Sequence, residues 1–91
     1  MDNKGDSRLL VYPNPVHVST SIKYYLEKKG YVTLSIYDMA GKKITQLVNE
    51  IQTGGMHTID WNASDVEPGI YILTLVTKEF KSYTKLLRIN F

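Results

Sequence analysis

Residues 31–42 read YVTLSIYDMAGK, and their first seven side chains alternate between polar or aromatic and aliphatic. Because successive side chains of a strand point to opposite faces, this pattern predicts a strand with Val32, Leu34 and Ile36 facing inward. Asp38 then suits the first position of a type I turn, and Gly41 suits the left-handed residue that closes a bulged hairpin. The chain is therefore expected to reverse directly into another strand.

Six further runs of the same kind are separated by Pro, Gly, Asn or Asp at intervals of about 8–12 residues. We predict them at Arg8–Tyr12, Thr20–Glu27, Lys42–Val48, Met56–Asn62, Ile70–Thr77 and Phe80–Ile89, with a loop at Asn49–Gly55. No segment keeps the 3.6-residue period of a helix. The sequence therefore predicts an all-β fold, a seven-stranded antiparallel Ig-like or fibronectin-like β-sandwich. Shared parity places these residues in its core: Ile22, Leu34, Ile36, Ile59, Trp61, Tyr71, Leu73 and Leu75.

The length of 91 residues suits one hydrophobic core, which we assign to residues 8–91. Residues 1–7 are polar and are expected to be a flexible leader or a remnant of cloning. They lack the apolar centre of a signal peptide, so export would depend on a signal further upstream. No stretch has the roughly 20 apolar residues that a membrane span needs.

Charge and residue types argue against several classes of function. The 11 basic and 9 acidic residues are scattered, which does not indicate a nucleic-acid surface. The absence of cysteine excludes thiolate metal sites and thiol nucleophiles. His17 and His57 have no further ligand at metal-binding spacing, the serines sit in no nucleophile motif, and Asp60 with Asp65 has no evident sugar cleft. We therefore expect no catalytic residue, metal or cofactor.

Two tyrosine patterns bear on the choice between binding and structure. Tyr25, Tyr31 and Tyr37 share the outward parity of successive runs, so they could form a carbohydrate-stacking face. Cross-strand pairing that stabilises the sheet is the favoured interpretation. Tyr71 follows a Pro-Gly turn at Pro68-Gly69, which is typical of the tyrosine corner of Greek-key sandwiches.

Several of these features stand in a familiar order along the chain: Val11-Tyr12-Pro13-Asn14-Pro15, Ile36-Tyr37-Asp38-Met39-Ala40-Gly41-Lys42, Gly54-Gly55-Met56-His57-Thr58-Ile59-Asp60-Trp61, Gly69-Ile70-Tyr71 and Lys85. Together they resemble the C-terminal sorting domain, type A, of proteins exported by the type IX secretion system of Bacteroidetes. The resemblance spans about residues 9–90. Its motif residues correspond here to Pro13, Asn14, Pro15, Asp38, Gly41, Lys42, Gly69, Tyr71 and Lys85, as recognition or structural positions.

The resemblance implies a domain that serves as an address for a larger upstream cargo. Its expected partners are the outer-membrane translocon and a sortase-like cell-surface protease that removes the domain. The expected route runs through the periplasm to the outer-membrane surface or the medium. The short apolar terminal strands add the expectation of a homodimer.

The alternative is a non-catalytic fibronectin-like or carbohydrate-binding module attached to a secreted enzyme. An exposed aromatic row on one sheet face would favour it, whereas polar faces with a functional last strand would favour sorting.

Overall fold

The computed structural model describes residues 8–90, so the expected leader at residues 1–7 lies outside the described residues. Seven strands form in the order predicted, which confirms the all-β, seven-stranded antiparallel sandwich. Their bounds are β1 Leu9–Tyr12, β2 Ser19–Leu26, β3 Gly30–Asp38, β4 Lys43–Gln52, β5 Gly55–Asn62, β6 Gly69–Val76 and β7 Lys81–Arg88. Within residues 8–90 no helix is long and apolar enough to cross a membrane.

The strands are divided between two sheets. One sheet has the order β1-β2-β5 and the other β4-β3-β6-β7. Every neighbouring pair in both sheets is antiparallel. The hairpin β3-β4 stays within one sheet, whereas the connections β2-β3, β4-β5 and β5-β6 pass from one sheet to the other. The chain thereby closes a core between two inner faces, as Ig-like sandwiches do.

The core lies between the sheets and follows the predicted parity. The inward side chains Val32, Leu34 and Ile36 of β3 are fully buried, and Trp61 is 6% exposed. Of the eight predicted core residues only Ile59 is half-buried, where it packs against the core from the edge strand β5. The other seven are buried: Ile22, Leu34, Ile36, Trp61, Tyr71, Leu73 and Leu75.

Two details differ from the sequence-based expectation. The loop predicted at Asn49–Gly55 is wrong, because β4 runs on to Gln52 and pairs Tyr31 with Ile51 and Gly30 with Gln52. Pairing with β3 thus keeps the polar end of β4 extended, because backbone hydrogen bonds between strands outweigh the weak strand propensity of these residues. The second difference concerns the tyrosines. β2 and β3 lie in different sheets, so Tyr25 is neither paired with Tyr31 and Tyr37 nor on the same face.

Candidate functional site

The residues singled out by the sequence meet at one end of the four-stranded sheet. β3 ends, β6 begins and β7 ends there, and the register places Asp38 beside Tyr71 and Gly69 beside Arg88. The Pro-Asn-Pro segment reaches the same place from the other sheet. We call this the motif end of the sandwich. Segments separated by up to 73 residues in the chain therefore form one structural unit.

Asn14 attaches the Pro-Asn-Pro segment to the edge of β7. Its side-chain Nδ2 donates to the Lys85 carbonyl at 2.9 Å, and its Oδ1 accepts from the Leu87 N–H at 3.1 Å. One amide side chain thus satisfies the two backbone groups that a neighbouring strand would use. Both flanking prolines follow cis peptide bonds, Tyr12-Pro13 and Asn14-Pro15.

The chain continues this contact for two residues beyond Asn14. The Val16 N–H donates to the Leu87 carbonyl at 2.7 Å, and the Ile89 N–H donates to the Val16 carbonyl at 2.8 Å, as a short parallel bridge. On the other side, the Thr20 hydroxyl donates to the Pro13 carbonyl at 2.7 Å. As expected, β1 stops pairing with β2 at the prolines. The Pro-Asn-Pro segment then covers the end of the edge strand β7, so fewer backbone groups of β7 lack a partner there.

The Asp38–Lys42 motif builds the β3-β4 turn. The Asp38 carboxylate Oδ1 accepts from the N–H groups of Ala40 and Lys42, both at 2.9 Å. The Gly41 N–H donates to the Asp38 carbonyl at 3.0 Å, and Gly41 has a φ of +90°. This confirms the predicted left-handed glycine, since a residue with a Cβ rarely adopts that backbone conformation. The carboxylate and the glycine of the motif are therefore both used inside the turn.

The Gly69–Tyr71 segment forms the predicted tyrosine corner. Tyr71 is buried, and its hydroxyl donates to the Glu67 carbonyl at 2.5 Å. Gly69 has a φ of +154°, which a side chain rarely permits. This hydrogen bond fixes the connection that enters β6 from the other sheet.

The remaining motif residues are lysines with exposed side chains. Lys42 contributes its N–H to the turn, and Lys85 contributes its carbonyl to Asn14. Both side chains remain exposed. Of the predicted site residues, these two therefore have exposed ammonium groups.

Arg88 belongs to this end of the fold but escaped the sequence analysis. It is 7% exposed, and its Nε donates to the Ala63 carbonyl at 2.7 Å. Its Nη1 donates to the Ile89 carbonyl. The parity that places Leu86 inward on β7 also places Arg88 inward, and this signal could have identified it. Arg88 thus ties the last strand to the connection after β5.

His57, Tyr24 and Asp60 lie outside the motif end and have ordinary structural partners. The His57 ring stacks on Tyr24 with centroids 5.5 Å apart, and Nε2 lies 2.8 Å from the Thr53 carbonyl oxygen. Burial raises the pKa of the Tyr24 phenol above its usual range, while its hydrogen bond to Gln52 acts in the opposite direction. Asp60 accepts a hydrogen bond from Ser21 at 2.8 Å. Within residues 8–90 no group of three or more His, Asp or Glu side chains could hold a metal ion.

Comparisons with known proteins bear on this arrangement. The family model of the secretion system C-terminal sorting domain matches residues 10–90. A comparison with curated protein sequences finds no match.

Two solved structures from Porphyromonas gingivalis share the fold. The dimeric latent PorU structure has a TM-score of 0.69 and 17% identity, and the match covers 91% of this chain and 9% of that one. The structure of PorZ, described as an essential bacterial surface component of the type IX secretion system, has a TM-score of 0.63 and 18% identity, covering 89% of this chain and 11% of that one. The chain thus spans about a tenth of these larger proteins. By the match over residues 10–90, the chain belongs to the family of secretion system C-terminal sorting domains.

Proposed function

We propose that this domain is the address of a larger upstream cargo, which it directs from the periplasm through the outer-membrane translocon of type IX secretion. A sortase-like protease then removes it at the cell surface. Membership of the sorting family supports a protein that is transported to the cell surface or beyond. The attached-module alternative is not favoured, because the family model that matches residues 10–90 is that of a sorting domain.

The observation that carries the proposal is the attachment of the last strand at the motif end. Asn14, Val16 and Arg88 each hold β7 by hydrogen bonds to groups far away in sequence. The residues to which we assign the role of building this end are Pro13, Asn14, Pro15, Asp38, Gly41, Gly69 and Tyr71. Lys42 and Lys85 offer their ammonium groups to a receptor. A receptor that accepts unrelated cargos can use only a surface that they share, which this domain supplies.

A reporter fusion tests the address directly. Residues 8–91 are placed behind a periplasmic reporter in a bacterium with type IX secretion. We expect the reporter at the cell surface or in the medium, and not in the periplasm. Retention of a folded fusion in the periplasm, while the host's own cargos are exported, would contradict the proposal.

Two variants separate receptor contact from structural support. Removing residues 85–91 should block export, but it also removes backbone partners of Asn14 and Val16. Lys85→Ala keeps the carbonyl that Asn14 uses and removes only the exposed ammonium group. Reduced export of a stably folded Lys85→Ala fusion would therefore indicate direct recognition. Normal export of the Lys85→Ala fusion would indicate that the Lys85 ammonium group is not recognised and that β7 has only a structural role.

The terminal strands also support a homodimer. β1 and β7 are both edge strands, and the Pro-Asn-Pro segment covers the end of β7. The remaining edge of a sheet presents backbone groups with which strands of other chains can pair. Sedimentation over a range of concentrations should show a dimer forming through residues 8–16 or the last strand. A strict monomer at the highest concentration would contradict this expectation.

A further inference from the structure

The outer face of the four-stranded sheet carries apolar side chains close to the motif end. Ile70 and Leu87 are neighbours across β6 and β7, and each is 39% exposed. Tyr83, on the same face of β7, is 54% exposed. Between Tyr83 and Tyr37 lies an open hollow of about 390 Å³, with Ile72 and Thr74 at its floor. We call this surface the β7 face.

Three lysines and no carboxylate share the outward positions of the β7 face. Lys81 and Lys85 alternate with Tyr83 along β7, and Lys43 pairs with Tyr37 at the start of β4. The outward positions of β3, β6 and β7 hold only hydroxyl, aliphatic, aromatic and lysine side chains. The one carboxylate beside the hollow, Asp38, is engaged by two backbone N–H groups. Among residues 8–90, the three lysines on this face therefore outnumber the single carboxylate beside the hollow and give the face an excess of positive charge.

We propose that the β7 face binds an acidic segment of a protein partner that also carries apolar side chains. This rests on the proposed function, which makes that partner a component of the secretion machinery. Carboxylates would meet Lys81 and Lys85, while an aliphatic or aromatic side chain would fill the hollow between the tyrosines. A protein segment fits better than a glycan, because the aliphatic side chains Ile70, Ile72 and Leu87 would be covered by the apolar side chains of a protein, which a glycan lacks.

The proposal also separates recognition from the motif residues that build the fold. The Asn14 amide, Asp38 Oδ1 and the Tyr71 hydroxyl take part in internal hydrogen bonds. By contrast, Tyr83 and the Lys85 ammonium group project from the sheet close to the motif end. The motif end therefore holds β7 in place, and the β7 face beside it is available to bind a partner.

A matched pair of double variants tests the β7 face in cells. The test variant is Tyr83→Ser with Lys85→Glu. The control is Tyr25→Ser with Lys23→Glu on β2, because Tyr25 is 55% exposed against 54% for Tyr83 and both lysines are exposed. We expect the test variant to lower reporter export by about tenfold or more, and the control to leave it unchanged.

Thermal melting of each 91-residue variant establishes that it is folded. If Tyr83→Ser lowers the melting temperature, Lys81→Glu with Lys85→Glu tests the charges without altering the tyrosine. Normal export of a folded test variant overturns the proposal and leaves the sorting function standing. Failure of the parent fusion to be exported overturns both, because the partner is then not part of secretion.

A titration of the labelled chain tests the occupant without cells. The probes are a peptide of about 12 residues with alternating glutamate and leucine, and polygalacturonate as an anionic glycan. We expect the peptide to shift the backbone amide signals of β6 and β7, with about tenfold weaker binding to the test variant. Shifts caused by polygalacturonate alone, or by self-association of the chain, would overturn the assignment to a protein segment.

Discussion

The Asn14 contact with β7 gives a sharp test of how the last strand is held. Replacement of Asn14 by Asp keeps the shape of the side chain and the oxygen that accepts from the Leu87 N–H. It replaces the Nδ2 donor with a second oxygen, 2.9 Å from the Lys85 carbonyl oxygen. At neutral pH this carboxylate cannot donate, so one hydrogen bond becomes a contact between two acceptors. Asn14→Ala removes both hydrogen bonds without adding a repulsion.

The magnitudes follow from these contacts. Each hydrogen bond contributes about 0.5–1.5 kcal/mol, and the exposure of Asn14 favours the lower end of this range. We expect Asn14→Ala to lower the free energy of unfolding by about 1 kcal/mol. Asn14→Asp should lower it by about 2 kcal/mol at pH 7, because the repulsion adds to the lost bond. In a domain of this size each 1 kcal/mol corresponds to about 4–8 °C in melting temperature.

The pH dependence distinguishes this mechanism from a general loss of packing. In the Asn14→Asp variant, the new carboxyl group can donate to the Lys85 carbonyl once it is protonated, so folding raises its pKa above the unfolded value of about 3.9. The stability that protonation restores is therefore present below about pH 3.9 and is lost as pH rises through the folded pKa. Relative to the parent at the same pH, Asn14→Asp should be less stable than Asn14→Ala at pH 7 and more stable at about pH 3.

Chemical denaturation at several pH values measures this reversal. Asn49→Asp is the control, because the Asn49 side chain accepts a hydrogen bond from the Tyr31 hydroxyl, which a carboxylate also accepts. Asn49→Asp changes the net charge by the same amount as Asn14→Asp, but it should not lower the free energy of unfolding at pH 7. If Asn14→Asp and Asn14→Ala keep the same order of stability at both pH values, the donor role of the Asn14 amide is refuted.

Substitutions at three further residues test other parts of the fold. Gly41→Val should destabilise the domain by about 1–2 kcal/mol in urea unfolding, through backbone strain alone, because nothing lies within 4 Å of its added Cβ. Gly41→Ala should show most of the same loss, and a neutral result for both would contradict the strain argument. Tyr71→Phe should cost about 1 kcal/mol, since it removes the hydrogen bond to Glu67 and keeps the ring; an unchanged urea midpoint would refute this. Because burial raises the pKa of Tyr24, its contribution is present below about pH 10 and is lost as pH rises through the folded pKa. Tyr24→Phe should therefore weaken the alkaline loss of stability, and an identical alkaline profile for parent and variant would contradict this.

The sequence predicted those parts of the fold that depend on neighbours along the chain. Alternation in residues 31–37 identified β3 and its inward side chains, because strand parity is a local property. The turn after Asp38 was predictable for the same reason, since its carboxylate and Gly41 act within a few residues of each other. The tyrosine corner at Tyr71 likewise closes over four residues. The existence and the order of all seven strands followed from such local signals.

Contacts between segments that are distant in the chain could not be predicted from the sequence. Nothing beside Asn14 indicates that its amide lies on β7, 71 residues away. The assignment of Tyr25 to a different sheet from Tyr31 depends on where the chain crosses between sheets, which parity does not specify. β4 extends to Gln52 because β3 provides backbone groups to pair with. Each of these features is determined by pairing partners and not by the residues themselves.

The structural use of the motif changes what its presence implies about recognition. Where receptor binding would disturb a hydrogen bond that holds the fold, the lost bond reduces the affinity gained. The Asn14 amide, Asp38 Oδ1 and the Tyr71 hydroxyl all make such bonds. Apart from its two lysines, the sorting motif is therefore best understood as the set of residues that builds the motif end, with Asn14 attached to the last strand. Exposed side chains there, Lys85 and Tyr83 foremost, can bind a partner without breaking a hydrogen bond that the fold needs. Loss of export through Asn14, Asp38 or Tyr71 should then follow the loss of folding stability, whereas loss through Tyr83 or Lys85 should occur in a domain that is still fully folded.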